Sequence, residues 1–270
     1  MTTDLATKAA RFRALHQRPE PFLLPNPWDA GTARLLAGLG FEALATTSLG
    51  VANTVGRTRA TRQQILDNCR EIDAATPLPV NVDLENGYAD DPASAATMVV
   101  QAAEYGAVGA SIEDHTGDRR TPIYDFELAV DRVRAAVAAA HSRPVPLVLT
   151  ARAENLLYGV DDLDDTIRRL QAFEEAGADV LYAPGLRTLA RMRTVVSAVS
   201  RPVNVVMGFA DPSITLAQLG EIGVRRVSIG GAFSRLALKT FLDTAKQMRA
   251  GTFGFVADLP PIAELRQAFA

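Results

Sequence analysis

Short apolar runs recur along the chain, and each is followed by a longer segment with helical periodicity. Eight runs have the length and composition of strands, and they span residues 22–27, 43–48, 79–85, 108–113, 147–153, 180–183, 203–207 and 226–230. In the segments between them, for example residues 92–105, 126–140 and 163–176, apolar residues recur three and four positions apart, as in amphipathic helices. Eight alternating units predict an α/β fold, a closed parallel (β/α)8 TIM barrel.

Glycines mark the ends of several predicted helices. Gly40, Gly106, Gly177 and Gly223 each precede a predicted strand, where glycine provides the left-handed residue that ends a helix. An open doubly wound sheet is the alternative fold, but no Gly-x-Gly-x-x-Gly motif follows a strand. The pattern therefore favours the barrel.

Both ends of the chain extend beyond the eight units. Residues 5–16 predict an extra helix before the first strand, and residues 251–254 with Pro260-Pro261 predict a linker after the last long helix. A short terminal helix follows, with an apolar stripe of Ile262, Leu265 and Phe269. We therefore expect a catalytic barrel domain at 1–250. Residues 251–270 would form a linker and helix that belongs to the same domain or is swapped onto a neighbouring subunit.

Composition excludes several classes of protein. The 270 residues suit one barrel, and the net charge of −3 argues against a nucleic-acid surface. No apolar run reaches the roughly 18 residues of a membrane span, and the N-terminus carries no secretion signal. A cytoplasmic protein with no nucleic-acid or membrane partner is expected. The three lysines lie away from predicted strand ends, which disfavours a Schiff-base aldolase.

Carboxylates follow two neighbouring predicted strands. Asp83 and Glu85 end the third strand, and Glu113 ends the fourth. Because parallel strands of a barrel all end at one mouth, these side chains should converge there. Oxygen ligands of this kind suit Mg²⁺, with Mn²⁺ as an alternative. Any one of them could instead cap the following helix, and Asp114 is equally a capping or supporting residue.

Other polar residues at strand ends are candidates for binding a substrate. Arg152 could grip a carboxylate with two parallel hydrogen bonds or pair internally with Glu154. Further candidate contacts are Trp28, Thr47, Ser48, Leu49, Gly50 and Asn204. His115 and Tyr182 are candidates for proton transfer. The single cysteine, Cys69, lies in a predicted helix over 61–74 and is expected to be dispensable.

Four of these segments together resemble the isocitrate lyase/phosphoenolpyruvate mutase superfamily. They are Thr47-Ser48-Leu49-Gly50, Asp83-Leu84-Glu85-Asn86-Gly87-Tyr88, Ser111-Ile112-Glu113-Asp114 and Thr150-Ala151-Arg152. The resemblance points to the branch of 2-methylisocitrate lyase and carboxyphosphonoenolpyruvate mutase. It implies a Mg²⁺-binding barrel that handles 2-oxo acids, with Asp83, Glu85 and Glu113 around the metal. It also implies that Ser48, Gly50 and Arg152 bind the oxo-carboxylate end and that the protein is a homo-oligomer, commonly a tetramer.

The chain departs from that family in three places. The lyases carry a Lys-Lys-Cys-Gly-His loop where this chain has residues 115–122, which contain neither cysteine nor lysine. The segment 55–60 lacks the family's aspartate, and 182–185 lacks the lyases' glutamate. Isocitrate-type cleavage by the usual route is therefore disfavoured.

We predict a Mg²⁺-dependent lyase or decarboxylase that acts on a small 2-oxo or 2-hydroxy dicarboxylate through a metal-bound enolate. Decarboxylation needs no base to start it and so tolerates the missing cysteine. One alternative is a phosphonate P–C bond mutase or hydrolase, for which Arg57 and Arg59 would be the extra cationic contacts. Another is a 2-oxo acid binding or sensing protein without turnover.

Overall fold

The computed structural model describes residues 4–269 and contains a parallel barrel in that range. Its strands are β1 Phe22–Leu24, β2 Leu44–Ala45, β3 Val80–Asp83, β4 Gly109–Glu113, β5 Val148–Arg152, β6 Val180–Tyr182, β7 Val203–Val206 and β8 Arg226–Ser228. They pair in the order β1-β8-β7-β6-β5-β4-β3-β2, all parallel. The Ala45 N–H donates to the Pro25 carbonyl at 3.0 Å, which joins β2 to the end of β1. The predicted (β/α)8 barrel is confirmed.

The helices alternate with the strands and surround them. They are α1 Leu5–His16, α2 Ala30–Gly38, α3 Ser48–Thr54, α4 Arg62–Ala75, α5 Pro92–Glu104, α6 Phe126–His141, α7 Leu163–Glu175, α8 Leu189–Ser197, α9 Leu216–Glu221, α10 Ala232–Arg249 and α11 Ile262–Phe269. The four glycines expected to end helices have φ between 86° and 100°. No helix within residues 4–269 is long and apolar enough to cross a membrane.

The extra N-terminal helix α1 closes the bottom of the barrel. Phe12 and Leu15 are buried and share one apolar cluster with Phe22, Val108 and Val148, which lie at or beside the starts of three strands. A second, larger cluster fills the space between the strands and the outer helices. Because the bottom is sealed by apolar side chains, the barrel interior is reached from the C-terminal ends of the strands, where barrel enzymes place their active sites.

All eight predicted strands are shorter in the structure, and two of the differences change the candidate site. The strand predicted over 43–48 is only Leu44–Ala45, and α3 begins at Ser48 because the Thr47 side chain accepts the Gly50 N–H and caps a helix. The strand predicted over 79–85 ends at Asp83. Glu85 follows in a left-handed backbone conformation, with φ of 48°, so a turn rather than the strand pleat directs its side chain.

The last helix packs on its own barrel in this single chain, which is one of the two arrangements expected for residues 251–270. α11 lies against α2 of the same chain, and Arg34 Nη1 donates to the Phe269 carbonyl at 2.6 Å. A wide apolar surface nevertheless stays exposed on α10 and the segment that follows it. It includes Leu236, Phe241, Leu242, Met248, Phe253, Leu259 and Ile262.

We expect truncation after Ala250 to reduce the particle mass in solution. The prediction follows from the exposed apolar face of α10 and the segment after it, because a contiguous surface of this kind is typical of a subunit interface. Light scattering of the full-length and truncated proteins at equal concentration measures the effect. Unchanged mass and unchanged thermal stability would show that residues 251–270 serve only their own subunit.

Stability should fall in acid because of His16 on α1. Burial, aided by Arg226, lowers the pKa of His16 from 6.5 to about 3. The unfolded chain therefore takes up a proton near pH 6.5 while the folded chain does not, so stability present above pH 6.5 is lost as pH falls toward 3. At about 1.4 kcal/mol per pKa unit, the loss is on the order of 5 kcal/mol. Urea unfolding at several pH values should show a shallower decline for His16→Gln; an equal decline contradicts the assignment.

Candidate active site

A cavity of about 630 Å³ opens at the C-terminal ends of the strands, as expected for a barrel enzyme. Most residues predicted for the site line this one cavity. They are Thr47, Ser48, Leu49, Asp83, Glu85, Glu113, His115, Arg152, Tyr182 and Asn204. Separate segments of the chain thus meet as the sequence indicated.

Two predicted substrate contacts serve the packing of α3. Among the described residues, Trp28 and Gly50 are absent from the cavity wall. A Cβ added to Gly50 would lie 2.8 Å from Trp28 Cβ and 2.6 Å from Thr47 Cγ2, closer than such carbon atoms approach. Glycine therefore allows the start of α3 to pack directly on Trp28, which positions Thr47, Ser48 and Leu49 at the wall.

Arg152 is the centre of the polar cluster at the mouth. Its Nη1 lies 2.9 Å from Asp83 Oδ1, its Nη2 lies 2.9 Å from Glu113 Oε2, and its Nε donates to Glu154 Oε1 at 2.8 Å. The expected internal pair with Glu154 is therefore present. The same guanidinium also links the ends of β3 and β4. The spacing of these residues in the sequence does not reveal that contact.

Three carboxyl groups, those of Asp83, Glu113 and Glu154, surround the single guanidinium of Arg152. Burial raises the pKa of Glu113 and Glu154, although the positive charge of Arg152 opposes the rise. Burial also opposes the charge on Arg152, but Glu113, Glu154 and Asp83 together raise its pKa well above its ordinary value. Glu154 Oε2 is buried without a hydrogen-bond partner among the described residues. The cluster therefore attracts a cation.

Glu85 reaches the same cluster from the turn after β3. Arg59 Nε donates to Glu85 Oε2 at 2.5 Å, and Arg59 Nη2 donates to Asn86 Oδ1 at 2.8 Å. Burial, reinforced by the negative charge of Asp83, raises the pKa of Glu85. The left-handed backbone of Glu85 costs about 1 kcal/mol or more in a residue other than glycine. Such strain at a polar site is typical of functional turns.

Asp83 also ties β3 to the start of α3. The Ser48 N–H donates to Asp83 Oδ2 at 3.1 Å, and the Asp83 N–H donates to Thr46 Oγ1 at 3.0 Å. The N-terminus of α3 therefore already faces a carboxylate oxygen of the protein. Backbone N–H groups at this position suit an anionic ligand as well.

His115 begins the loop that replaces the lyases' cysteine loop. Its ring stacks on Tyr158 with centroids 3.5 Å apart, and its Nε2 is buried with no hydrogen-bond partner among the described residues. Burial, with help from Arg59 and Arg152, lowers its pKa, so the ring is neutral near pH 7. The loop is folded back on itself, since the Thr116 N–H donates to the Pro122 carbonyl at 2.8 Å.

Asp114 supports the site from outside the cavity. Its Oδ1 accepts the Glu154 N–H at 2.8 Å, and its Oδ2 lies 3.2 Å from Arg169 Nη1. Burial raises the pKa of Asp114 to about 7. Asp114 thus fixes the backbone that carries Glu154, which agrees with a supporting role.

The sequence interpretation missed several residues of the cavity. Tyr158 comes from a loop with no distinguishing pattern. Arg226 is a charged residue at the start of a predicted strand, and this position was the available signal. Tyr182 was expected: its ring lies 5.0 Å from the Arg152 guanidinium carbon, and burial raises the pKa of its hydroxyl. Of the two arginines considered for a phosphonate contact, Arg59 lines the cavity and, within the described part of the chain, Arg57 does not.

The donor set fits a hard divalent cation in its chemistry. Within residues 4–269 no group of three or more His, Cys, Asp or Glu is close enough to hold an ion as it stands. Asp83 and Glu113 instead contact Arg152, and Glu85 contacts Arg59. All three carboxyl groups nevertheless line one cavity and offer only oxygen, which is the ligand atom of Mg²⁺.

Barrel closure and a mouth lined by carboxylates around a central arginine are typical of α/β barrel enzymes, which place their active sites at this end of the strands. A family model described as phosphoenolpyruvate phosphomutase matches residues 12–249. The chain belongs to this family, which agrees with the resemblance found in the sequence.

Relatives and solved structures extend the comparison. The chain is 31% identical to 2-methylisocitrate lyase of Escherichia coli, over 80% of this chain and 76% of that protein. It is also 31% identical to oxaloacetate decarboxylase of Bradyrhizobium diazoefficiens, over 83% and 79% of the two chains. A Burkholderia cenocepacia protein with a suggested lyase or mutase activity is 52% identical, with a TM-score of 0.96 and coverage of 98% and 96%. Oxaloacetate acetylhydrolase in complex with its product oxalate is 26% identical, with a TM-score of 0.86 and coverage of 98% and 94%.

Proposed function

We propose that this protein is a Mg²⁺-dependent carbon–carbon lyase that decarboxylates a small 2-oxo dicarboxylate. The observation that carries the proposal is the position of Arg152 among Asp83, Glu113 and Glu154 at the barrel mouth. This arrangement combines a group that binds carboxylate with oxygen atoms that bind a cation. Similarity to a decarboxylase, a lyase and an oxalate-binding hydrolase supports the same substrate class.

Asp83, Glu85 and Glu113 would hold the metal, and Mn²⁺ would satisfy the same oxygen donors. When bound, the ion supplies a Lewis acid that draws electron density from a 2-oxo group. Cation binding would also relieve the repulsion that raises the pKa of Glu85 and Glu113 along with burial.

The chain's own side chains would bind and orient the substrate. Arg152 would hold one carboxylate through its planar fork. Ser48, whose backbone N–H already donates to Asp83, would orient the same end through its side-chain hydroxyl. Tyr158 and Phe209 line the cavity and would exclude water from the reacting carbon atoms.

Decarboxylation suits the groups that the cavity contains. In a four-carbon 2-oxo diacid, the bond between C3 and C4 breaks, CO₂ leaves, and the electron pair remains as the enolate of the three-carbon acid. One proton is then added at C3. His115 offers an unengaged ring nitrogen beside the cavity, and Tyr182 offers a protonated hydroxyl, so these two residues are the proposed proton donors.

Aldol-type cleavage is less well served by this chain, because it needs a base to remove a hydroxyl proton. The lyases' cysteine is absent from residues 115–122. Cys69 lies in α4 and is fully buried, and burial raises its pKa to about 12. Cys69 is therefore protonated near pH 7, and its thiol is not accessible to the substrate.

Oxaloacetate turnover tests the proposal directly. Purified protein with Mg²⁺ should release pyruvate and CO₂ faster than Mg²⁺ alone, and EDTA should stop the enzymatic part. The same assay with 2-methylisocitrate and phosphonopyruvate separates decarboxylation from aldol cleavage and P–C chemistry. Binding of 2-oxo acids without any turnover would overturn the proposal in favour of a binding or sensing protein.

A further inference from the structure

Arg226, the first residue of β8, reaches across the barrel interior. Its Nη2 donates to Thr150 Oγ1 on β5 at 2.9 Å, and its Nε donates to Asn204 Oδ1 on β7 at 2.9 Å. Its Nη1 lies 3.4 Å from Nε2 of His16. Two strands separate β8 from β5 in the sheet, so the guanidinium lies inside the barrel and not between neighbouring strands.

The positive charge of Arg226 has no carboxylate partner among residues 4–269. The guanidinium contacts the amide of Asn204, the hydroxyl of Thr150 and the neutral imidazole of His16. The residue is only 2% exposed, and burial lowers its pKa to about 9, yet a guanidinium stays protonated near pH 7. A buried charge without a counter-ion is unfavourable. Arg59 and Arg152 differ, because each is paired with carboxylates.

The unpaired charge lies in the wall of the same cavity. Arg226, Asn204 and Ser228 line this cavity together with Arg152 and the mouth carboxylates. Asn204 Nδ2 also donates to Ser228 Oγ at 3.1 Å. The amide is therefore oriented by Arg226 on one side and presents its N–H groups on the other. Cation, amide and hydroxyl form a donor-rich surface that complements a carboxylate.

We propose that Arg226 makes the cavity select dianionic acids, by providing the counter-charge for a second carboxylate deep in the barrel while Arg152 holds the first at the mouth. This inference rests on the proposed function, since it names which small acids the same site prefers. A bound dianion would supply the counter-ion that the fold withholds from Arg226. Arg226 is thus a specificity-determining residue.

A matched pair of ligands tests this selection without turnover. (S)-Malate and (S)-2-hydroxybutyrate differ only by a carboxylate in place of a methyl group. Calorimetry with Mg²⁺ should show that the wild-type protein prefers malate. Arg226→Gln, which keeps a hydrogen-bonding side chain but removes the charge, should reduce that preference by about tenfold or more. Affinity for 2-hydroxybutyrate should change much less.

Thr150→Val is the matched control, because it removes a hydrogen-bond partner of Arg226 and leaves the charge. Thr150 is fully buried, and Val there should keep the preference for malate even if thermal stability falls.

Equal loss of preference in Thr150→Val and Arg226→Gln would show a structural role and overturn the inference. A wild-type protein that turns over oxaloacetate but does not prefer malate would also overturn it. Arg119 is an exposed arginine that lines the same cavity, and loss of the preference in Arg119→Gln but not in Arg226→Gln would assign the selection to Arg119 instead. Absence of both turnover and 2-oxo acid binding would overturn the proposed function itself.

Discussion

Asp83→Ala should abolish Mg²⁺-dependent binding of a 2-oxo acid while the barrel stays folded. Asp83 is a predicted metal ligand, and its two oxygen atoms also contact Arg152 and the Ser48 N–H. Alanine removes one carboxylate from the predicted metal ligands. It also removes the acceptor of the Ser48 N–H, so the start of α3 is no longer held at the cavity wall. Because a divalent cation with few carboxylate ligands depends strongly on each one, the expected effect is a loss of detectable binding.

Calorimetric titration with Mg²⁺, alone and with oxalate, measures this effect. Asp131→Ala provides a matched control, since Asp131 is an exposed acid on α6 that pairs with Arg134, away from the cavity. The control should bind as the wild-type protein does. Unchanged Mg²⁺ affinity in Asp83→Ala would remove Asp83 from the metal site. Circular dichroism and thermal unfolding would separate lost binding from lost fold.

Arg152→Lys should weaken binding of a 2-oxo acid by about 1–3 kcal/mol. The guanidinium presents N–H groups in three directions and satisfies Asp83, Glu113 and Glu154 at once. A lysine ammonium is a single point charge and lacks the planar fork that grips a carboxylate twice. It also leaves buried carboxylates less well paired, so thermal stability should fall in the same variant.

The two consequences of Arg152→Lys are measured separately. Binding of oxalate with Mg²⁺ reports the clamp, and thermal unfolding without ligand reports the internal ion pairs. Arg134→Lys, on the exposed face of α6, is the control and should change neither quantity. A variant with lower stability but wild-type affinity would leave Arg152 as a purely structural residue.

Much of the active site could be predicted because a parallel barrel converts sequence position into spatial position. Asp83, Glu113 and Arg152 end three different strands, and those strands all end at one mouth. Their convergence therefore follows from the fold alone. The sequence did not predict the distances between these groups. It also placed Trp28 among the substrate contacts, whereas Trp28 does not line the cavity in the structure.

Local backbone chemistry accounts for the predictions that were wrong. The strand predicted over 43–48 begins with the apolar residues Ala43, Leu44 and Ala45, but Thr47 accepts the Gly50 N–H and caps a helix. Asp83 and Glu85 were both expected to end the third strand, but the strand stops at Asp83 and Glu85 follows in a left-handed conformation. Hydrophobic periodicity does not encode either event, since each depends on one side chain or one φ angle.

The sequence by itself determined the eight-unit barrel, the extra N-terminal helix and the acidic mouth. These features rest on periodicity and on residue types at strand ends, both of which are local properties of the chain. Only the tertiary structure decided that Arg152 bridges the acids of different strands and that Arg226 crosses from β8 to β5 without an acid partner. Long side chains reach several strands away, so their partners are fixed only when the barrel closes.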